Sequence, residues 1–343
     1  MNFASDNITG AAPEILSAIV EQNTEKLLPY GNDDLTRAAE IKISSIFEID
    51  AEVLIVATGT AANSLALATI TPPWGIIFCH KGAHVYDTEC GGPEFFTGGA
   101  KMLPIDGNDG KITAESLDSA IKTSGLDNTH HCQAAAVSIT QATETGSVYS
   151  VDEIQSISKV CKKYNLKLHM DGSRFANAVV TLNCSAAEAS WKAGIDILSF
   201  GATKNGALSA EAVILFDKSL KSEFSYRRKR GGHLFSKMRL LSVQMDAYVT
   251  DNLWLRNASL ANANANRMVK GLNTIKGIQQ TQSVQANILF TRMPRNVIDA
   301  LKDDGYLFYE RGGKDVVRLV LAFDTKIEDI DSFIESTRRH AEN

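Results

Sequence analysis

The sequence predicts an α/β protein, with a large domain around a mostly parallel central sheet and a small C-terminal α+β domain. Three observations carry this reading. From about Ala51 to Phe216, short apolar runs alternate with helical patterns. Several of those runs are apolar at consecutive positions, as strands covered on both faces are. Beyond Leu253 the texture changes to one long helical stretch followed by alternating short strands and helices. The expected domains are residues 1–252, an N-terminal arm with the large domain, and residues 253–343.

In chain order, the first strand is Glu52–Ala57, rich in Val and Ile. Gly59-Thr60-Ala61-Ala62-Asn63 then opens a helix through Leu65–Ile70. Ile76–Cys79 and Ala134–Ile139 read as further buried strands, and Val151–Tyr164 has helical spacing. Leu166–Met170, a helix over Arg174–Asn183, and strands Ile195–Phe200 and Ala212–Phe216 complete the β-α alternation. The C-terminal part reads as helix Leu253–Ile275, strand Ile288–Thr291, helix Asn296–Asp303, strand Val316–Phe323 and a helix from near Ile327. The Ala-Asn alternation of Ala261–Asn266 offers small residues for close helix packing.

The 343 residues can bury a substantial core, and a net charge of −5 disfavours a general nucleic-acid or anionic-membrane surface. No apolar run approaches the ~18 residues that span a bilayer, and the first residues lack a signal-peptide pattern. Five scattered cysteines without a Cys-x-x-Cys pair indicate neither a disulfide framework nor a zinc site. The expected compartment is the cytoplasm, and no metal is expected.

Lys204 follows the strand Ile195–Phe200, ringed by the small residues of Ser199-Phe200-Gly201-Ala202-Thr203-Lys204-Asn205-Gly206. Desolvation there would favour a neutral amine able to form a Schiff base, and the small neighbours would admit a flat ring. That is the chemistry of pyridoxal 5'-phosphate. Gly59 and Thr60 at a helix start would offer free N–H groups to its phosphate, unless Thr60 is only an N-cap. Asp171 ends a strand on the face where α/β folds bind ligands, and would hold a pyridinium nitrogen protonated or cap the next helix. Arg174 could grip a substrate carboxylate. His84 could stack or transfer protons beside such a cofactor. The run Arg227–Arg230, with Gly231, Gly232 and Lys237 nearby, is a solvated face or an anion-binding loop. Arg318, inside an apolar strand, faces water from a sheet edge or binds a carboxylate.

Together these stretches resemble the low-specificity L-threonine aldolases, in the β-eliminating-lyase branch of the fold-type-I pyridoxal-phosphate enzymes, over nearly the whole chain. Ser5-Asp6-Asn7 is similar to the family's N-terminal Ser-Asp motif, and Tyr30-Gly31-Asn32-Asp33 to its Tyr-Gly-Asp-Asp. Gly59-Thr60-Ala61 resembles its phosphate turn, His84 its ring-stacking His, Asp171-Gly172-Ser173-Arg174 its Asp-Gly-Ala-Arg, and Lys204 its Schiff-base lysine. Thr140–Thr145 stands where many members have Glu-Asn-Thr-His, and the second active-site His is expected at His130, or His131 on a one-residue slip. The resemblance implies cleavage of L-3-hydroxy-α-amino acids to glycine and an aldehyde. Ser5, Tyr30, Arg174 and Arg318 would bind substrate, and His84, His130 or a water would act as base. It further implies a homotetramer, a dimer of dimers with active sites at the dimer interface, where Arg230 and Lys237 reach a neighbour's cofactor phosphate.

Overall fold

The computed structural model describes residues 1–23 and 26–342. Seven strands form the large sheet: β1 (Glu52–Val56), β2 (Gly75–His80), β3 (Lys101–Ile105), β4 (Gln133–Thr140), β5 (Lys167–Gly172), β6 (Ile197–Gly201) and β7 (Glu211–Leu215). Their order is β1-β7-β6-β5-β4-β2-β3, parallel except that β7 runs opposite to both its neighbours. The reversal follows from chain length. The connection from Gly201 to Glu211 is too short for a crossover, which needs a dozen or more residues, so β7 returns as a hairpin. Lys204 sits in that connection.

The expected strands and helices of the large domain are all present. Strand β3 was not anticipated, because the exposed Lys101 and Pro104 break its pattern; it survives at the sheet edge, where proline is tolerated. The helix Val151–Lys163 starts at a capping box in which Ser150 and Glu153 bond each other's backbone. The helix Phe175–Leu182 ends at Asn183 in the left-handed region. Helices Pro13–Gln22, Asp34–Ile46, Ala114–Thr123, Lys221–Arg230 and Arg239–Val249 were not anticipated either. Among the described residues no helix is long and apolar enough to cross a membrane.

The second sheet is antiparallel, in the order β10-β11-β9-β8, with β8 (Gln279–Gln280), β9 (Ile288–Arg292), β10 (Tyr309–Glu310) and β11 (Val316–Val320). β8 and β10 are two residues each, too short to leave a periodic signal. The helix Leu253–Leu272 serves both cores: Trp254 and Ala258 pack into the large one, Ala265, Met268 and Leu272 into the small one. Its small residues are buried as expected, and its asparagines do more than alternate. Asn257 donates to the Asn205 carbonyl at 2.9 Å, and Asn262 exchanges hydrogen bonds with Asn177 and its carbonyl.

The N-terminal arm is pinned to the small core. Phe3 is 1 % exposed and packs edge-on to Phe333 at 5.3 Å between ring centres. Its N–H donates to Leu307, and its carbonyl accepts from Val320. Phe3→Ala is expected to cost about 3–5 kcal/mol, read as a lower urea midpoint. The same change would release the arm that carries Asp6 toward the sheet.

Candidate active site

A cavity of about 270 Å³ opens at the C-terminal edge of the large sheet. Gly59, Thr60, His84 and Lys204 line it, together with Asn7, Asn63, Ser173, Thr203 and Glu211. Lys204 is half-buried, so its setting is less dry than the sequence suggested. It makes no hydrogen bond or ion pair among the described residues, and its charge acts on the buried carboxylates Asp6, Asp171 and Glu211. Close packing fixes this corner. A methyl on Gly201 would meet the Ser173 carbonyl oxygen at 2.6 Å, and Gly206 adopts φ +119.

The helix Gly59–Ile70 is capped by Thr58, whose Oγ1 accepts from Ala61 N–H at 3.2 Å. Thr60 is therefore not the cap, and the N–H groups of Gly59 and Thr60 stay at the free first turn. Ala61 is a correction: its N–H is spent on the cap, its side chain is buried, and it does not line the cavity.

Asp171 is fully buried. Its Oδ1 accepts from Ser173 N–H at 3.0 Å and Ser173 Oγ at 2.8 Å, while Oδ2 has no partner. Burial alone would raise this carboxyl. The charges of Lys204 and His84 and the Ser173 bonds outweigh it and hold Asp171 below the ordinary range, ionised. Two residues back, His169 lies between Ser138 Oγ at 2.9 Å and Ser199 Oγ at 3.0 Å, and burial pushes it down to about 4, so it is neutral.

His84 Nδ1 is 2.8 Å from Glu89 Oε1, which also accepts from Asn63 Nδ2 at 2.8 Å. The Glu89 bond raises His84 above its usual range, while burial raises Glu89 in turn. Glu89 and Asn63 had no assigned role in the sequence, although Asn63 closes the phosphate-turn motif. Glu211 was missed as well. It is buried at the head of β7, accepts from Ala202 N–H at 2.7 Å, and is pushed by burial up to about 7. An acid opening the run Ala212–Phe216 was the available signal.

Arg174 is held differently from the expectation of a free grip. Its Nε and Nη2 donate to the two oxygens of Asp6 at 2.7 and 2.8 Å, both side chains being buried. Arg318 settles an open alternative. β11 lies between β9 and β10, so Arg318 is not on an edge, and it is 9 % exposed with Nη1 donating to the Ala4 carbonyl at 3.2 Å. Burial and the Arg174 charge push it down to about 10, still charged at neutral pH. Two guanidinium groups thus act on one another beside the arm, which suits an incoming carboxylate. Ser5 Oγ caps the turn at Asn7.

Of the expected residues Lys204, His84, Gly59 and Thr60 line this cavity, Asp171, Arg174, Ser5 and Arg318 do not line it themselves, and four more lie elsewhere. His130 precedes β4 at the opposite edge of the sheet, a strand of eight residues away from the mouth, so it cannot serve this chain's own site. Tyr30 is exposed under Lys229 Nζ, 4.5 Å from its ring centre. Arg230 and Lys237 are exposed and line no part of it.

The β-eliminating lyase family matches the chain over residues 2–294. The chain belongs to that family. A low specificity L-threonine aldolase of Pseudomonas aeruginosa is 41 % identical to the lyase over 337 residues, covering 98 % of this chain and 96 % of that one. Another protein of that name, from a Pseudomonas species, is 41 % identical over 325 residues, covering 94 % and 93 %. The solved structure of a Leishmania major threonine aldolase aligns with TM-score 0.93 at 27 % identity, covering 99 % of each chain.

The cofactor of the lyase is pyridoxal 5'-phosphate, and the residues present fit it. The unpartnered Asp171 Oδ2 is what a protonated ring nitrogen requires, and the first turn at Gly59 and Thr60 suits a phosphate. Asp171→Asn is expected to weaken cofactor binding at least ~30-fold, the low end for truncating a buried charged pair. Titrating apo-protein with the cofactor checks this.

Proposed function

We propose that the lyase cleaves L-threonine, L-allo-threonine and related L-3-hydroxy-α-amino acids to glycine and an aldehyde, reversibly. One observation supports it above the rest. Lys204 lines the cavity and its charge acts on Asp171, whose buried Oδ2 has no partner, with the Arg174 and Arg318 guanidinium groups beside the same arm.

Bound pyridoxal phosphate would supply the electron sink for the pair released from the Cα–Cβ bond. Lys204 would hold that group covalently through its amine. Asp171 would keep a proton on the ring nitrogen, and Gly59 and Thr60 would hold the phosphate. His84, steadied by Glu89, would help to hold the ring. Arg318, Arg174 and Ser5 bind the substrate carboxylate, which sets the Cα–Cβ bond for cleavage.

The large domain of 1–252 and the small domain of 253–343 belong to this proposal, as do a cytoplasmic location and a homotetramer built as a dimer of dimers. Leu208, Tyr30 and Phe235 are exposed apolar side chains that favour such an interface. Arg230 and Lys237, exposed in the same subunit, would then reach a neighbour's phosphate, and Tyr30 a neighbour's substrate.

The test is aldehyde release from L-threonine, L-allo-threonine and L-phenylserine by purified holoenzyme. Stoichiometric glycine and aldehyde are expected. Pyruvate with ammonia, or turnover that needs a keto acid, would replace this reading with elimination or transamination.

A further inference from the structure

The proposed reaction needs a group that accepts the β-hydroxyl proton. His130 is at the wrong edge of the sheet, and His84 Nδ1 is engaged by Glu89. Glu144 does not line the cavity itself, but its charge acts on His84, Arg174 and Arg318 together. Those three side chains come from three separate elements, and the two arginines suit the carboxylate of a substrate.

Backbone geometry places Glu144 there independently. Thr140, at the end of β4, pairs with Asp171, and Gln141 N–H donates to the Asp171 carbonyl at 2.8 Å. The chain then turns in a loop held from two sides. Thr143, Thr145 and Ser147 hydroxyls all donate to the Asp109 carbonyl, at 3.1, 2.7 and 2.6 Å. On the other side Gln285 N–H donates to the Gly146 carbonyl at 3.2 Å, two residues before the Asn287 that donates to Asp6. The loop is fixed between the ring anchor and the arm. Glu144 at its tip is half-buried and makes no hydrogen bond or ion pair among the described residues. A fixed loop that ends in an unpartnered carboxylate has no structural use for it.

We propose that Glu144 is the base that takes the β-hydroxyl proton. The inference rests on the aldolase reading above. The O–H bond breaks with its proton passing to a Glu144 oxygen, and the oxygen's pair forms the second C–O bond of the aldehyde. The Cα–Cβ pair moves toward the cofactor. Cα then takes up one proton to give glycine, and Glu144 releases its own to solvent, so the proton count closes.

The experiment compares wild-type and Glu144→Gln holoenzyme in two reactions. One is L-threonine cleavage. The other is exchange of the glycine Cα proton in heavy water, followed by NMR, which uses the cofactor and the carboxylate site but has no β-hydroxyl. The expected result is a fall in kcat for cleavage of about 10²–10³-fold, the range for general base catalysis. KM should change less than about threefold, and glycine exchange should stay near wild type. Equal losses in both reactions would make Glu144 structural and overturn the proposal. So would unchanged cleavage, or a lower KM at unchanged kcat, which would make it only a counter-charge to the arginines. Wild-type protein that exchanges the glycine proton yet releases no aldehyde would instead refute the aldolase reading itself.

Discussion

Lys204→Ala is expected to lower aldehyde release from L-threonine by at least about 10³-fold while leaving the protein folded. The activity loss follows from position. Lys204 stands on the short β6–β7 connection, half-buried, with no hydrogen bond of its own among the described residues, and its Nζ reaches the cavity that Gly59, Thr60 and His84 line. A primary amine held there is what attaches an aldehyde cofactor and hands it to the substrate amine. Stability should survive because the backbone of the connection is fixed by other groups. Asn205 Nδ2 donates to Tyr248 Oη and to the Trp254 carbonyl, both at 2.8 Å, and Ala202 N–H donates to Glu211. Three readings check the argument together. Far-UV circular dichroism should match wild type, the cofactor should leave on gel filtration, and a small primary amine added to the variant should restore part of the turnover. Retained cofactor and retained turnover would move the chemistry to another residue.

Much of this fold was legible because its strands are buried on both faces. β1, β2, β4, β6 and β7 each contain consecutive apolar residues, β5 alternates Leu168 and Met170 with His169, and the short spans between several of them carry helical spacing. β3 escaped because an edge strand needs neither continuous burial nor every N–H, so Pro104 could sit within it. The site divides along a similar line. Lys204, Asp171, Gly59 and Thr60 stand at strand ends and helix starts, where local sequence alone fixes which edge of the sheet they occupy. Asp6 and Glu144 act on partners far away in sequence, and Glu89 and Glu211 on partners that only the folded turns bring close. A lone acid carries no sign of the cation that will face it. His130 shows the converse failure: chain order suggested an active-site His, but the position before β4 rather than after it puts the ring at the other edge of the sheet.

Asp6→Asn is expected to destabilise the protein by about 3–5 kcal/mol at neutral pH. Asp6 is 1 % exposed and takes both Nε and Nη2 of Arg174, with Asn287 Nδ2 donating to it at 3.0 Å. Burial alone would push this carboxyl up, yet the Arg174 charge and its hydrogen bonds outweigh burial and bring it down to about 2. A folded value below the unfolded one means the unfolded chain binds the proton more readily. The stabilisation is therefore present above about pH 4, is lost as pH falls toward 2, and amounts to about 2–3 kcal/mol. The asparagine variant cannot show that loss at Asp6, because it has no proton to take up there. Urea midpoints should thus differ most at pH 7 and converge as pH falls below 4. A double variant, Asp6→Asn with Arg174→Met, should recover part of the loss, since the larger cost of the single change is a guanidinium left buried without its partner. The double variant should also bind substrate worse than Asp6→Asn alone, because the buried pair is what places Arg174 beside Arg318. Equal stability of Asp6→Asn and wild type at both pH values would show that the arm, and with it Ser5, is held by Phe3 and not by this ion pair.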